Sequence, residues 1–184
     1  LKLAREKIAD YPNFSLQQND MLEMNFNDQF DWVLSFWALH WSPDLTSVCR
    51  NIYHALKKGG KAMIIFPTGD DPFIESYNVV KSSGEFPCLN NFKSPVNFQK
   101  VAAVPSIITK IPFKTAKVEV LKHSILLPSL DVFRKFVDGL AFFHGQVPNN
   151  EISNLNEAMT KAYDVECRRK FQGKYWFNIG IYLV

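Results

Sequence analysis

The chain has 184 residues, enough for one domain of ordinary size. Apolar residues make up 47% and charged residues 21%, so a core can form and a mainly disordered chain is excluded. The net charge of +3 is too small to point to nucleic acid or an acidic membrane as a partner. No apolar run approaches the roughly 18 residues of a membrane span, since the greasiest stretch, 33–41, contains Ser35 and His40. Cys49, Cys88 and Cys167 are odd in number and far apart. Neither a disulfide framework nor a metal site is expected, and a reducing, cytoplasmic location fits.

In chain order, Leu1, Ala4, Arg5 and Ile8 stand at helical spacing. An opening inside a helix, with no apolar leader segment, is expected of a piece of a longer chain. Residues 14–19 follow the Tyr11-Pro12-Asn13 turn as a first expected strand, and Phe30–Phe36 (FDWVLSF) is a second, dense in strand formers. Ser42 is expected to cap a helix that has Pro43 at its first position and Asp44 in its first turn. Leu45, Val48, Cys49, Ile52, Ala55 and Leu56 form its apolar stripe, and Lys57-Lys58-Gly59-Gly60 closes it. Residues 61–66 are a continuous apolar run, as in a strand covered on both faces. Strand, helix and strand with short connections predict a βαβ unit and a parallel sheet.

A helix is expected over 72–82. Residues 84–113 hold Pro87, Pro95, Pro105 and Pro112 and read as loops with one short helix near 97–104. A long strand over 117–127 follows. Ser129 is then expected to cap a helix whose stripe, Val132, Phe133, Phe136, Val137 and Leu140, reads as core. A further helix over 148–170 carries Ile152, Leu155, Met159, Ala162 and Val165, and 175–184 is a closing strand. The expected architecture is one α/β domain over 1–184, its sheet finished by a hairpin-like terminal pair.

Ligands of open α/β sheets sit outside the carboxyl ends of the strands. The first expected strand ends at Gln18-Asn19-Asp20-Met21, the second at Ser35 to Trp41. A carboxylate there can accept a hydrogen bond from an exocyclic amine or ribose hydroxyl, and a methionine can pack on a purine. The alternative is that Asp20 caps a turn and Met21 is core. There is no Gly-x-Ser-x-Gly elbow, so serine-hydrolase chemistry is unsupported. His54 reads as solvated, and His123 and His144 have no partner at ligand spacing. The Lys57, Lys58, Lys61 and Arg168, Arg169, Lys170 groups read as solvated helix-end charges.

Asn19-Asp20-Met21, Phe30-Asp31-Trp32-Val33-Leu34-Ser35, His40-Trp41 and Ala55-Leu56-Lys57-Lys58-Gly59-Gly60-Lys61 occur in this order. The series resembles class I S-adenosylmethionine-dependent methyltransferases, in the small-molecule branch that includes trans-aconitate and juvenile-hormone-acid methyltransferases. Leu3-Ala4-Arg5-Glu6-Lys7 is similar to the helix after that family's second strand, and the likeness covers 1–67 and thins beyond it. The resemblance implies a three-layer Rossmann-like methyltransferase sheet, N-terminally incomplete, with S-adenosylmethionine as cofactor and a small-molecule acceptor. It implies Asp20 at the adenine amino group, Met21 lining the adenine pocket, and Ser35 and Phe36 beside the methionine moiety. Trp37 and Trp41 would face the substrate, and His40 would act as a base or orient an oxygen nucleophile, unless it is a structural neighbour of Trp41. A sulfonium methyl is already activated, so such a protein mainly aligns the nucleophile and excludes water. Residues 84–113 stand where a lid or insertion is expected, and Phe86, Phe92, Phe98 and Phe113 fit an apolar acceptor, a carboxylate among the candidates.

The family's glycine-rich loop and ribose-binding acid have no counterpart before Gly59 and are expected upstream of Leu1. Two readings follow: a methyltransferase seen in part, or a non-enzymatic binding or interaction module derived from that fold. Absent strands would leave Phe30–Phe36 as an open edge. Either 14–19 folds back across the 20–29 connection, or two chains join there as a homodimer.

Overall fold

The computed structural model describes residues 2–184. It begins with α1 (Lys2–Ile8), in line with the spacing of Ala4, Arg5 and Ile8; Leu1 lies outside the described residues. Residues 14–19 form no strand, contrary to expectation, and run as irregular, exposed chain. Strand propensity needs a neighbour to satisfy the backbone. Here the Phe14 amide bonds only locally, to the Tyr11 carbonyl at 3.0 Å, and no residue of the segment pairs with a strand. The fold-back over the Phe30–Phe36 edge is therefore not adopted.

The βαβ unit is present. β1 (Phe30–Phe36) runs parallel to β2 (Leu56–Pro67), in register from Trp32 opposite Lys61 to Phe36 opposite Ile65. β2 begins five residues before the expected strand, because Phe30 pairs with Leu56 and the ladder then skips to Lys61. Lys57 to Gly60 form this irregularity rather than a free helix cap. Gly60 is required in it, since a Cβ would stand 2.9 Å from the Lys57 carbonyl oxygen and 3.0 Å from that of Phe30.

Between the strands lie a single 3-10 turn, Leu39–Trp41, and α2 (Leu45–Ala55). The cap of α2 is Asp44, not Ser42. Asp44 Oδ1 accepts from the Ser47 amide at 3.0 Å and Oδ2 from the Ser47 hydroxyl at 2.7 Å. Ser42 Oγ instead accepts from the Asp44 amide at 3.2 Å and shapes the turn ahead of the helix. The stripe Leu45, Val48, Cys49, Ile52 and Ala55 is buried as its spacing predicts.

α3 (Pro72–Ser83) starts from Asp71, whose Oδ1 accepts from the amides of Phe73 (2.9 Å) and Ile74 (3.1 Å). Residues 84–113 hold a 3-10 turn and two short helices, α4 (Phe98–Ala102) and α5 (Val104–Ile108), where one was expected. Pro105, which has no amide hydrogen, sits in the first turn of α5 and separates the two. β3 (Glu119–Leu126) pairs antiparallel along its length with β4 (Trp176–Leu183), the expected terminal pair. They are joined by α6 (Leu130–Gly139) and α7 (Asn149–Phe171).

The sheet order is β1-β2-β4-β3. Leu45, Val48 and Ile52 of α2, with Val101, Val104 and Ile108 of the α4–α5 segment, pack with Ile64, Phe66 and Tyr182. Residues of α3, α6 and α7 pack with Phe177 and Ile179. Tyr182 and the Phe177/Ile179 pair point to opposite faces of β4 by strand alternation, which makes helix, sheet and helix three layers. Trp41 touches both clusters.

Candidate functional site

The parallel strands β1 and β2 end side by side, at Phe36 and Pro67. Immediately after β1 the backbone turns sharply: Trp37 has φ of 55°, a left-handed conformation costly for a bulky side chain, and its amide bonds to the Ile65 carbonyl at 2.8 Å. This turn leads into the Leu39–Trp41 3-10 turn. It aims Trp37, His40 and Trp41 into one cavity of about 500 Å³, closed by Pro67 of β2, Phe98 of α4, Phe136 of α6 and Leu140 just after it.

The walls of the cavity are almost wholly aromatic and aliphatic. Phe136, expected as core, is instead 43% exposed and lines this space, while its stripe-mate Phe133 is fully buried beneath it. The stripe is wide enough to serve both the α6–α7 packing and the cavity wall.

Two ionisable groups reach the cavity, His40 and Asp71. Asp71 is occupied as the α3 cap, and burial pushes its carboxyl up despite the two amide bonds. His40 is 7% exposed, its ring lies 5.3 Å from that of Trp41, and its Nδ1 is buried with no hydrogen-bond partner. Burial pulls its pKa down to about 4, so the imidazole is neutral at physiological pH.

The other expected site residues lie outside this cavity. Asp20 is exposed and its Oδ1 accepts from the Leu22 amide at 2.8 Å, a local turn of the kind weighed from sequence. Met21 is half-buried against the α2 cluster. Ser35 keeps a buried hydroxyl without a partner, and Phe36 stands 52% exposed on the opposite face of β1. Sequence reasoning missed Asn51, whose Nδ2 donates to the carbonyl oxygens of Met21 and Leu22 and fixes the Asp20 turn onto α2. It also missed Pro67 and Phe136 as cavity walls; of Phe86, Phe92, Phe98 and Phe113, expected against an apolar acceptor, Phe98 lines this cavity and the other three pack with the core clusters. Nothing in their local sequence separates a cavity wall from core.

Among the described residues no group of three or more His, Cys, Asp or Glu is placed to hold a metal ion, and no helix is long and apolar enough to cross a membrane.

Comparison with known proteins agrees with this architecture. Residues 1–64 match the family described as methyltransferase domain. The juvenile hormone acid O-methyltransferase of Drosophila melanogaster is 31% identical over 84 residues, 43% of this chain and 28% of that protein. That of Bombyx mori is 26% identical over 142 residues, 74% of this chain and 50% of that protein. The chain thus spans half or less of the length of these curated relatives. In structure, the YcgJ protein of Bacillus subtilis superposes with a TM-score of 0.56 at 16% identity, covering 99% of this chain and 73% of that one. A Bacillus halodurans protein gives 0.55 at 16% identity, covering 99% and 75%. Residues 1–64 thus match a methyltransferase domain, and the chain as a whole shares the fold of these two bacterial proteins.

Proposed function

We propose that this protein transfers a methyl group from S-adenosylmethionine to the carboxylate of an apolar small molecule bound between Trp37, His40 and Trp41. The observation that carries the reading is the cavity itself. It opens at the carboxyl ends of the parallel strands, its walls are apolar, and the free polar group it offers is a neutral imidazole. The relatives from Drosophila melanogaster and Bombyx mori are named for O-methylation of an acid, which fits.

The residues present suit part of a cofactor site. Ser35 has an orphaned buried hydroxyl, Asp20 an exposed carboxylate, and Phe36 an exposed apolar ring. In this reading Asp20 and Met21 hold the adenine and Ser35 and Phe36 flank the methionine portion. The cofactor supplies an electrophilic methyl on sulfur.

The chain's own residues then have three tasks. Trp37, Trp41 and Phe136 bury the apolar body of the acceptor and exclude water from the reacting end. His40 donates a hydrogen bond to one carboxylate oxygen and orients the other. It need not remove a proton, because a carboxylate is already ionised at neutral pH. A phenol or an ammonium acceptor would need a base, and a histidine with a pKa of about 4 is a poor one. The 84–113 segment serves as the lid: Val96 and Phe98 border the cavity, and the Gln146 side chain holds the segment through Lys93, accepting from its amide at 3.0 Å and donating to its carbonyl at 2.8 Å. The free thiols of Cys49, Cys88 and Cys167 suit a reducing, cytoplasmic setting.

Tryptophan fluorescence tests the reading, because Trp37 and Trp41 line the cavity. Titration with dodecanoic acid is expected to shift the emission, dodecylamine to do so more weakly, and Trp41→Phe to remove most of the response. A stronger response to the amine, or none to the acid, would contradict it.

A further inference from the structure

We infer that Phe98 sets the size of acceptor the cavity admits, and that Gly69 is what allows its ring to lie back as the cavity wall. The inference rests on the proposed acceptor cavity and adds a specificity determinant to it. Phe98 is the first residue of α4 and is half-buried, with one side on the cavity. Its ring lies directly over Gly69, in the loop between β2 and α3. A Cβ built on Gly69 would stand 2.3 Å from Phe98 Cδ1 and 2.5 Å from Cγ, closer than any real contact. Any side chain at 69 therefore has to push the ring away, and the φ of +90° at that residue already favours glycine.

The backbone carrying the ring is held from two other directions. Asn97 caps α4 by accepting from the Lys100 amide at 3.1 Å, and Lys100 Nζ donates to the Pro43 carbonyl at 3.0 Å, across 57 residues. Val96 and Val101, on either side, are buried. Phe98 is thus an aromatic wall on a fixed mount, and its χ angles are the freedom left to it. A side chain so placed meets the bound molecule sterically, without touching the reacting carboxylate.

The test is calorimetric binding of octanoic, dodecanoic and hexadecanoic acid to the wild type, Phe98→Ala, Gly69→Ala and the Gly69→Ala/Phe98→Ala double variant. Opening space for about two methylenes is worth about a tenfold gain in affinity. Phe98→Ala is therefore expected to raise the hexadecanoic-to-octanoic affinity ratio about tenfold. Gly69→Ala is expected to lower that ratio, and the double variant to recover the Phe98→Ala ratio, because the clash is gone while the backbone strain at 69 remains. If Gly69→Ala does not fold, the Phe98→Ala ratio alone decides. Wild-type binding of these acids with a ratio unmoved by Phe98→Ala would overturn the inference and leave the cavity reading standing. Absence of binding to every form would overturn both.

Discussion

Asn51 of α2 donates from Nδ2 to two consecutive carbonyl oxygens, Met21 at 3.0 Å and Leu22 at 3.1 Å, across some thirty residues of chain. One side chain thereby seats the Asp20 turn on the helix that follows β1, and couples the proposed adenine end of the site to the βαβ unit. Asn51→Ala should cost about 1–2 kcal/mol, the usual penalty for leaving part-buried carbonyls unpaired. Asn51→Asp should cost more, because it sets a carboxylate against two acceptors. Urea midpoints check this, and an unchanged midpoint in both variants would remove the anchor role.

Asp20 makes the opposite prediction. It is exposed, and its one side-chain bond is to the Leu22 amide. Asp20→Ala should change the melting temperature little yet weaken S-adenosylhomocysteine by about 1–3 kcal/mol through loss of the proposed adenine contact. Calorimetry showing the same affinity would take Asp20 out of the site.

His40 carries a pH signature. Burial holds its folded-state pKa down at about 4, against an ordinary value near 6.5. As pH falls below about 6.5 the unfolded chain takes up the proton first, so stability is lost between there and about 4 and levels off below. The loss attributable to His40 is no more than about 3 kcal/mol. Asp71, whose carboxyl burial pushes up, acts in the opposite sense, so the difference between wild type and His40→Leu isolates the histidine. The variant should be as stable as wild type or more so at neutral pH, since Nδ1 has no partner to lose, and its stability should fall less in acid. Denaturant midpoints that fall in parallel for both proteins would contradict the assignment.

The outer edge of β1 pairs with no other strand among the described residues, and Trp32, Leu34 and Phe36 stand 56%, 56% and 52% exposed along it. We propose that residues 1–184 self-associate through this edge. Sedimentation should show a concentration-dependent dimer that Leu34→Lys shifts to monomer. A monomer at all concentrations would refute the pairing.

How much of this was legible in sequence follows from which interactions are local. β1 ends where its composition predicts, and the α2 stripe is buried residue for residue, because periodicity encodes which face turns inward. The cap of α2 moved from Ser42 to Asp44 because both can cap and only the preceding 3-10 turn decides between them. The 14–19 segment alternates apolar Phe14 and Leu16 with polar residues but forms no strand, since pairing depends on a neighbour and not on the segment itself. Trp37, His40 and Trp41 were placed together by their position after a strand. Phe98 was one of four aromatics expected at the acceptor and the one that lines the cavity, whereas Phe136 was read as core, because a ring turned from core to cavity leaves no trace at its own position.

Methyl transfer to an apolar carboxylate can be read from the chemistry of the product. The protein carrying this chain should be incubated with S-adenosylmethionine labelled in its methyl group and with matched apolar acids, phenols and amines. Label is expected in an alkali-labile methyl ester of the acid, reduced at least about tenfold by Trp41→Ala through loss of the aromatic wall. Alkali-stable label on the amine or phenol, with none on the acid, would contradict it.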